Sequence, residues 1–107
     1  MNSKQKGARG ERELASKLRE LGYNSRRGQQ YCGANGDADV TGLDGIHIEC
    51  KRVERLDLYG AMSQSVHDAR FGEKPAVFHR KNNCEWLVTM RLPDLIELYE
   101  AWRSEND

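Results

Sequence analysis

The stretch GDADVTGLDGIHIECK, residues 36–51, reads as strand, short loop, strand, with Asp37, Asp39, Glu49 and Lys51 set into two alternating runs. Two registers are open. With Asp44-Gly45 as a two-residue hairpin turn, Leu43 pairs with Ile46 and Asp39 and Glu49 fall on opposite faces. With a three-residue loop, Leu43-Asp44-Gly45, the glycine is left-handed, Val40 faces Ile48 and Ala38 faces Cys50. The first register mixes Val40 with Glu49. The second gathers the apolar side chains on one face and leaves Asp37, Asp39, Thr41, His47, Glu49 and Lys51 on the other. A one-residue slip exchanges the faces of a whole strand, so the segregating register is the one expected.

That register sets Asp39 opposite Glu49 and Asp37 opposite Lys51. Carboxylates directly across a ribbon repel each other. One account is an exposed acidic ribbon salted by Lys51. The other is a hard divalent cation: Mg²⁺ takes one or two carboxylates, keeps several waters, and completes its shell with phosphate oxygens. Lys51 would then lie beside the cation, placed to orient a water or to stabilise charge on a phosphate. A metal there polarises the phosphoryl oxygen and acidifies its bound water. The set suits phosphodiester hydrolysis. A glycine-rich phosphate loop with its lysine is missing, so no nucleotide cofactor is expected. Nor does any serine have a histidine partner at a credible spacing.

Upstream, a helix is predicted from about Ser3 or Lys6 to Leu21, with Gly22 ending it. Leu14, Ala15, Leu18 and Leu21 form its apolar stripe, and Glu11 is centred on that stripe while Glu13 and Glu20 face water. A carboxylate turned toward a core is costly unless a cation pairs with it. The alternative for Glu11 is that it reaches water one turn above the core, or caps the helix start. YNSRRGQQY, residues 23–31, reads as a strand leading into the glycine-rich loop CGANG.

Downstream, Asp57 is a candidate cap for a second helix from Leu58 to about Arg70, with Leu58, Met62, Ser65, Val66 and Ala69 as its apolar face. GEKP turns the chain into a strand at Ala76–His79, and RKNN is a hairpin turn before a strand within CEWLVTM. Pro93 suits the first position of a final helix ending near Arg103. The order is α-β-β-β-α-β-β-α, an α/β fold in which a mixed sheet is flanked by helices. Trp86, Val88, Leu95, Ile96, Leu98, Tyr99 and Trp102 are core or interface residues; His47, His67 and His79 are expected at the surface or on the ribbon.

At 107 residues, with 37% hydrophobic and 32% charged side chains, the chain fits one domain, residues 1–107. No apolar run approaches the ~20 residues that cross a bilayer, and no secretory signal follows the basic N-terminus, so a cytoplasmic protein is expected. Three cysteines, Cys32, Cys50 and Cys84, read as reduced thiols, and without a CxxC or HxxxH spacing a zinc site is not expected. Net charge is zero but unevenly spread. Residues 1–30 hold eight basic and three acidic side chains, a surplus of +5, and the rest nine basic and fourteen acidic, a deficit of −5. A basic third on a neutral protein suggests a polyanion on one side, against the alternative of a solvated basic helix.

ADV, followed ten residues after Asp39 by ECK, resembles the PD-(D/E)XK motif of the restriction-endonuclease-like nucleases, with Ala38 in place of the usual proline. KGARGERELASKLRELGY resembles the first helix of the archaeal-type Holliday junction resolvases, whose glutamate matches Glu11. AMSQSVHDA extends the likeness into the second helix, with Gln64 matching a glutamine often found after the lysine motif. The resemblance implies a Mg²⁺-dependent endonuclease, with Mn²⁺ as a substitute. Glu11, Asp39 and Glu49 would hold the metal, with Asp37 as the rival aspartate. Lys51 would assist the water, and Gln64 would orient Lys51 or a water. Lys4, Lys6, Arg9, Arg12, Arg26 and Arg27 would contact phosphates, with Gln29 and Gln30 as polar contacts from the loop. The implied substrate is branched DNA, a Holliday junction cut by a homodimer, in a bacterium or its phage. Nucleases of this fold acting on flaps, ends or damaged DNA are the alternative, and beyond them a non-cleaving DNA-binding module.

Overall fold

A computed structural model describes residues 3–29 and 38–107. Gln30, Cys32, Asp37 and the loop CGANG lie outside the described residues. The elements are α1 (Ser3–Glu20), β1 (Arg26–Arg27), β2 (Val40–Thr41), β3 (Ile46–Arg52), α2 (Leu58–Asp68), β4 (Lys74–Arg80), β5 (Leu87–Met90) and α3 (Leu92–Asn106). The five strands form one mixed sheet in the order β1-β2-β3-β4-β5. Only β3 and β4 are parallel, and α2 carries the chain between them, since parallel neighbours need a crossover.

The ribbon takes the three-residue loop. Val40 pairs with Ile48, Ile46 N–H donates to Leu43 O at 3.0 Å, and Gly45 has φ +88°. One face of β3 thereby presents Ile48 and Cys50 to α1. Leu14, Ala15 and Leu18 meet them there, together with Val40, Ala76 and Phe78, in a single buried cluster. Its larger members contribute about 1.5–3 kcal/mol each by leaving water. Helix α1 ends as Gly22 suggests: Gly22 N–H donates to Arg19 O and Tyr23 N–H to Leu18 O, satisfying two of the last carbonyls.

The other face of β3 is covered by α2, so four consecutive residues, His47 to Cys50, are buried. Asp57 caps α2 as expected, accepting from Gly60 N–H at 3.0 Å. The helix seats Ala61 and Ser65 rather than Val66, which is 40% exposed. Small residues allow close approach, and the Ser65 hydroxyl bonds His47 O and Ala76 O, each at 3.2 Å. One expectation about charge changes, and one histidine, on the ribbon as expected, is more enclosed than a ribbon position implies. Glu13 is no purely solvated acid: it lies between Arg52 Nε (3.4 Å) and Arg80 Nε (3.1 Å), tying α1 to β3 and β4. His47 is buried at 4% exposure, enclosed because α2 crosses above it.

Helix α3 differs from the other two. None of its residues is buried, and Leu92, Leu95, Ile96, Leu98, Tyr99 and Trp102 are all 41–69% exposed.

Candidate active site

Strand alternation places His47, Glu49 and Lys51 on the α2 face of β3. Glu49 is 7% exposed, an unusual position for a carboxylate. Its neighbour is Asp39, at the point where β2 leaves the ladder. Asp39 N–H donates to Ile48 O at 3.1 Å, and Asp39 O accepts from Gly28 N–H at 2.8 Å. One carboxylate oxygen, Oδ2, accepts from Cys50 N–H at 2.9 Å, standing in for a ladder carbonyl. Regular pairing thus stops at Val40, and Asp39 turns its side chain along the edge of β3 instead of standing squarely opposite Glu49.

The two carboxyl groups nevertheless meet. Burial first, and the Asp39 charge second, push the Glu49 pKa up to about 8 against the pull of Lys51; a hydrogen bond with Asp39 and the Asp68 charge add to the rise. Near neutral pH Glu49 keeps its proton, because ionising it in a buried place beside the Asp39 charge is costly. Converging oxygens of this kind fit a hard divalent cation, which would take the place of that proton. Lys51 is half-buried on the same face, beside His79 of β4. The Cys50 thiol is held far above its ordinary range, by burial first and then by Asp39, Glu11 and Glu49, so it is no nucleophile.

Glu11 comes to the edge of this group without joining it. Its carboxyl pKa is raised, chiefly by burial and partly by the Asp39 charge, while Arg27 opposes the rise. Arg27 Nε donates to Glu11 Oε1 at 2.9 Å, so two residues given separate roles by the sequence hold each other. Gln64 is exposed, and its amide donates to Asp68 Oδ2 at 2.6 Å. That bond, followed by the one to His67, holds the Asp68 carboxyl below its usual range.

Among the described residues, one His/Cys/Asp/Glu group has ligand atoms that all lie within 4.8 Å of one another: His47, Glu49 and Asp68. Glu11, Asp39 and Glu49 do not meet that measure. Two members of the close group were not singled out from the sequence. His47 stands two residues before Glu49 on the same strand face, and Asp68 follows Gln64 by one helical turn. Both spacings were visible, but what joins them is the packing of α2 on β3.

Of the expected nucleic-acid contacts, Lys4, Lys6, Arg9, Arg12, Arg26, Arg27 and Gln29 are exposed. Lys6 and Arg9 line an open cleft of about 450 Å³ with Gly10, Glu13, Arg52 and Asn82. Arg52 reaches it from the α1 face of β3 and donates to Asn82 Oδ1 at 2.8 Å. No helix among the described residues is long and apolar enough to cross a membrane.

No family model and no curated protein matches the chain. Among solved structures it is similar to Hjc of Archaeoglobus fulgidus, a Holliday junction resolvase from an archaeal hyperthermophile. The TM-score is 0.58 and the identity 24%, over 77% of this chain and 74% of that one. The likeness is one of fold: a mixed five-stranded sheet flanked by helices, the α/β architecture that the order of elements led one to expect.

Proposed function

We propose that the protein is a divalent-metal-dependent DNA endonuclease, a single domain acting as a homodimer on branched DNA, with the Holliday junction as its substrate. The observation that carries this reading is the buried Glu49 carboxyl beside the half-buried Asp39, with Lys51 on the same face of β3 as Glu49. Asp39 and Glu49 would hold Mg²⁺, or Mn²⁺ in its place. When bound, the cation supplies Lewis-acid polarisation of the phosphoryl oxygen and a bound water of lowered pKa.

The protein's own groups do the rest. The Cys50 N–H fixes one Asp39 oxygen and so aims the other. The Lys51 ammonium donates to the attacking water or to the phosphate oxygen that gains charge. Arg27 bonded to a DNA phosphate would release Glu11, whose carboxylate would then turn toward Asp39. The basic residues of α1 and β1 would track the backbone and make affinity fall steeply with salt.

Two matched nicks call for two sites related by a two-fold axis. The apolar surface of α3, with Leu87 and Val88 exposed on the preceding β5, supports a second copy as its cover. Half-exposed side chains of that number and size leave on the order of 700 Å² of apolar surface, close to the ~800 Å² per partner of a stable interface. The setting would be the cytoplasm of a bacterium or a phage-infected cell.

The test is cleavage of an end-labelled four-way junction with Mg²⁺, by the intact protein and by Glu49→Ala, with linear duplex as control. Symmetric nicks near the branch, reduced to background in the variant while junction binding survives, are expected. Equal cutting of linear duplex would replace the resolvase by a general nuclease. Tight binding without cutting would leave a DNA-binding module.

A further inference from the structure

We infer that His47, Glu49 and Asp68 form a second cation position on the α2 side of Glu49, selective for divalent metals that accept an imidazole nitrogen. Three observations converge. First, one ligand atom from each residue lies within 4.8 Å of the others. Three ligands around one ion with bonds of about 2.1 Å stand ~3.0–3.6 Å from one another, so side-chain shifts on the order of 1 Å would close the set.

Second, the histidine is built in rather than loose. Its side chain is 5% exposed, and Nδ1 stands 3.4 Å from Glu73 Oε1. That is longer than the about 2.7–3.2 Å of a good N–H···O bond; with Nδ1 turned to Glu73, Nε2 is the nitrogen that would coordinate. A carboxylate at the far nitrogen is how metal-binding histidines are oriented and made more basic. Third, Asp68 has outer groups of its own, the Gln64 amide on Oδ2 at 2.6 Å and the exposed His67 Nδ1 on Oδ1 at 3.0 Å. The ligands come from a rigid strand and the last turn of the helix packed on it.

The donor set, one imidazole and two carboxylates, separates this position from the all-oxygen side at Asp39. Imidazole favours Co²⁺, Ni²⁺ or Zn²⁺ over Mg²⁺ and Ca²⁺. Glu49 serves both sides, yet binding at the histidine side does not require that DNA be cleaved.

The test is a Co²⁺ titration of the full chain carrying Cys32→Ser and Cys84→Ser, so that these thiols do not compete. Proton NMR detects paramagnetically shifted imidazole signals, which appear only when a histidine ligates. One shifted imidazole is expected. It should vanish in His47→Gln and persist in Asp39→Asn. Affinity should fall at least about tenfold in Asp68→Asn, whose side chain is exposed and whose loss leaves the fold intact, and about 10–100-fold in Glu73→Gln. A shifted signal that survives His47→Gln, no shifted signal in the parent, or an unchanged affinity in Asp68→Asn would overturn the inference. Junction cleavage with Mg²⁺, run on the same variants, keeps the two readings apart. The signal without any cleavage sinks the nuclease alone, and cleavage without the signal sinks this site alone.

Discussion

Glu49 is protonated in the folded protein at a pH where a solvated glutamate is ionised. A pKa raised from 4.5 to about 8 has a defined consequence for stability. The contribution is fully present below about pH 4.5 and is lost as pH rises toward 8, because the unfolded chain ionises while the folded chain cannot. Glu49→Gln, which is neutral at every pH, is therefore expected to be as stable as the parent near pH 4.5. It should become progressively more stable than the parent up to pH 8. At about 1.36 kcal/mol for each of roughly 3.5 pKa units the gap has a ceiling near ~5 kcal/mol. Urea unfolding across this range in chelator checks it; curves for parent and variant that stay parallel would contradict the raised Glu49 pKa. Asp39, Glu49 and Lys51 were legible in the sequence because strand alternation is strict and only one register separated apolar from charged side chains. His47 and Asp68 were not, since their closeness depends on how a helix lies over a strand, a relation with no local signature.

The elements were mostly legible for the same kind of reason. The helix-ending glycine, the Asp57 cap and the proline opening α3 are local chemistry, and each works as its residue type dictates. What failed was part of the contact face of α2: Ser65 lies on it as expected, but apolar size pointed to Val66 where close approach selected Ala61. Ser65 is fully buried, accepts from Ala76 N–H and bonds two carbonyls, one from each parallel strand. It therefore joins α2 to β3 and β4 at once, directly beneath the residues of the site. Ser65→Ala leaves buried polar groups without a partner and is expected to cost about 1–3 kcal/mol, read as a lower urea midpoint at unchanged m-value. A midpoint shift within error would show that water takes over the hydroxyl's bonds.

At the scale of the molecule, the core among the described residues lies in α1, the sheet and α2, while α3 leaves its apolar side chains to solvent, with Tyr99 and Trp102 stacked obliquely at 5.9 Å. Monomers rarely expose so continuous a patch. Leu95→Glu with Trp102→Glu should give a monomer by sedimentation velocity, where the parent sediments as a dimer. If the parent is itself monomeric at tens of micromolar, α3 does not cover a second copy. The sheet is held from both sides within one chain, but a 15-residue helix without buried residues is close to the ~12–15 residues below which helices in water are marginal. Amide exchange would therefore divide the chain by concentration. On dilution the amides of α3 should lose protection together, while those of β3 and β4 keep theirs, so that the last fifteen helical residues report whether a partner is present.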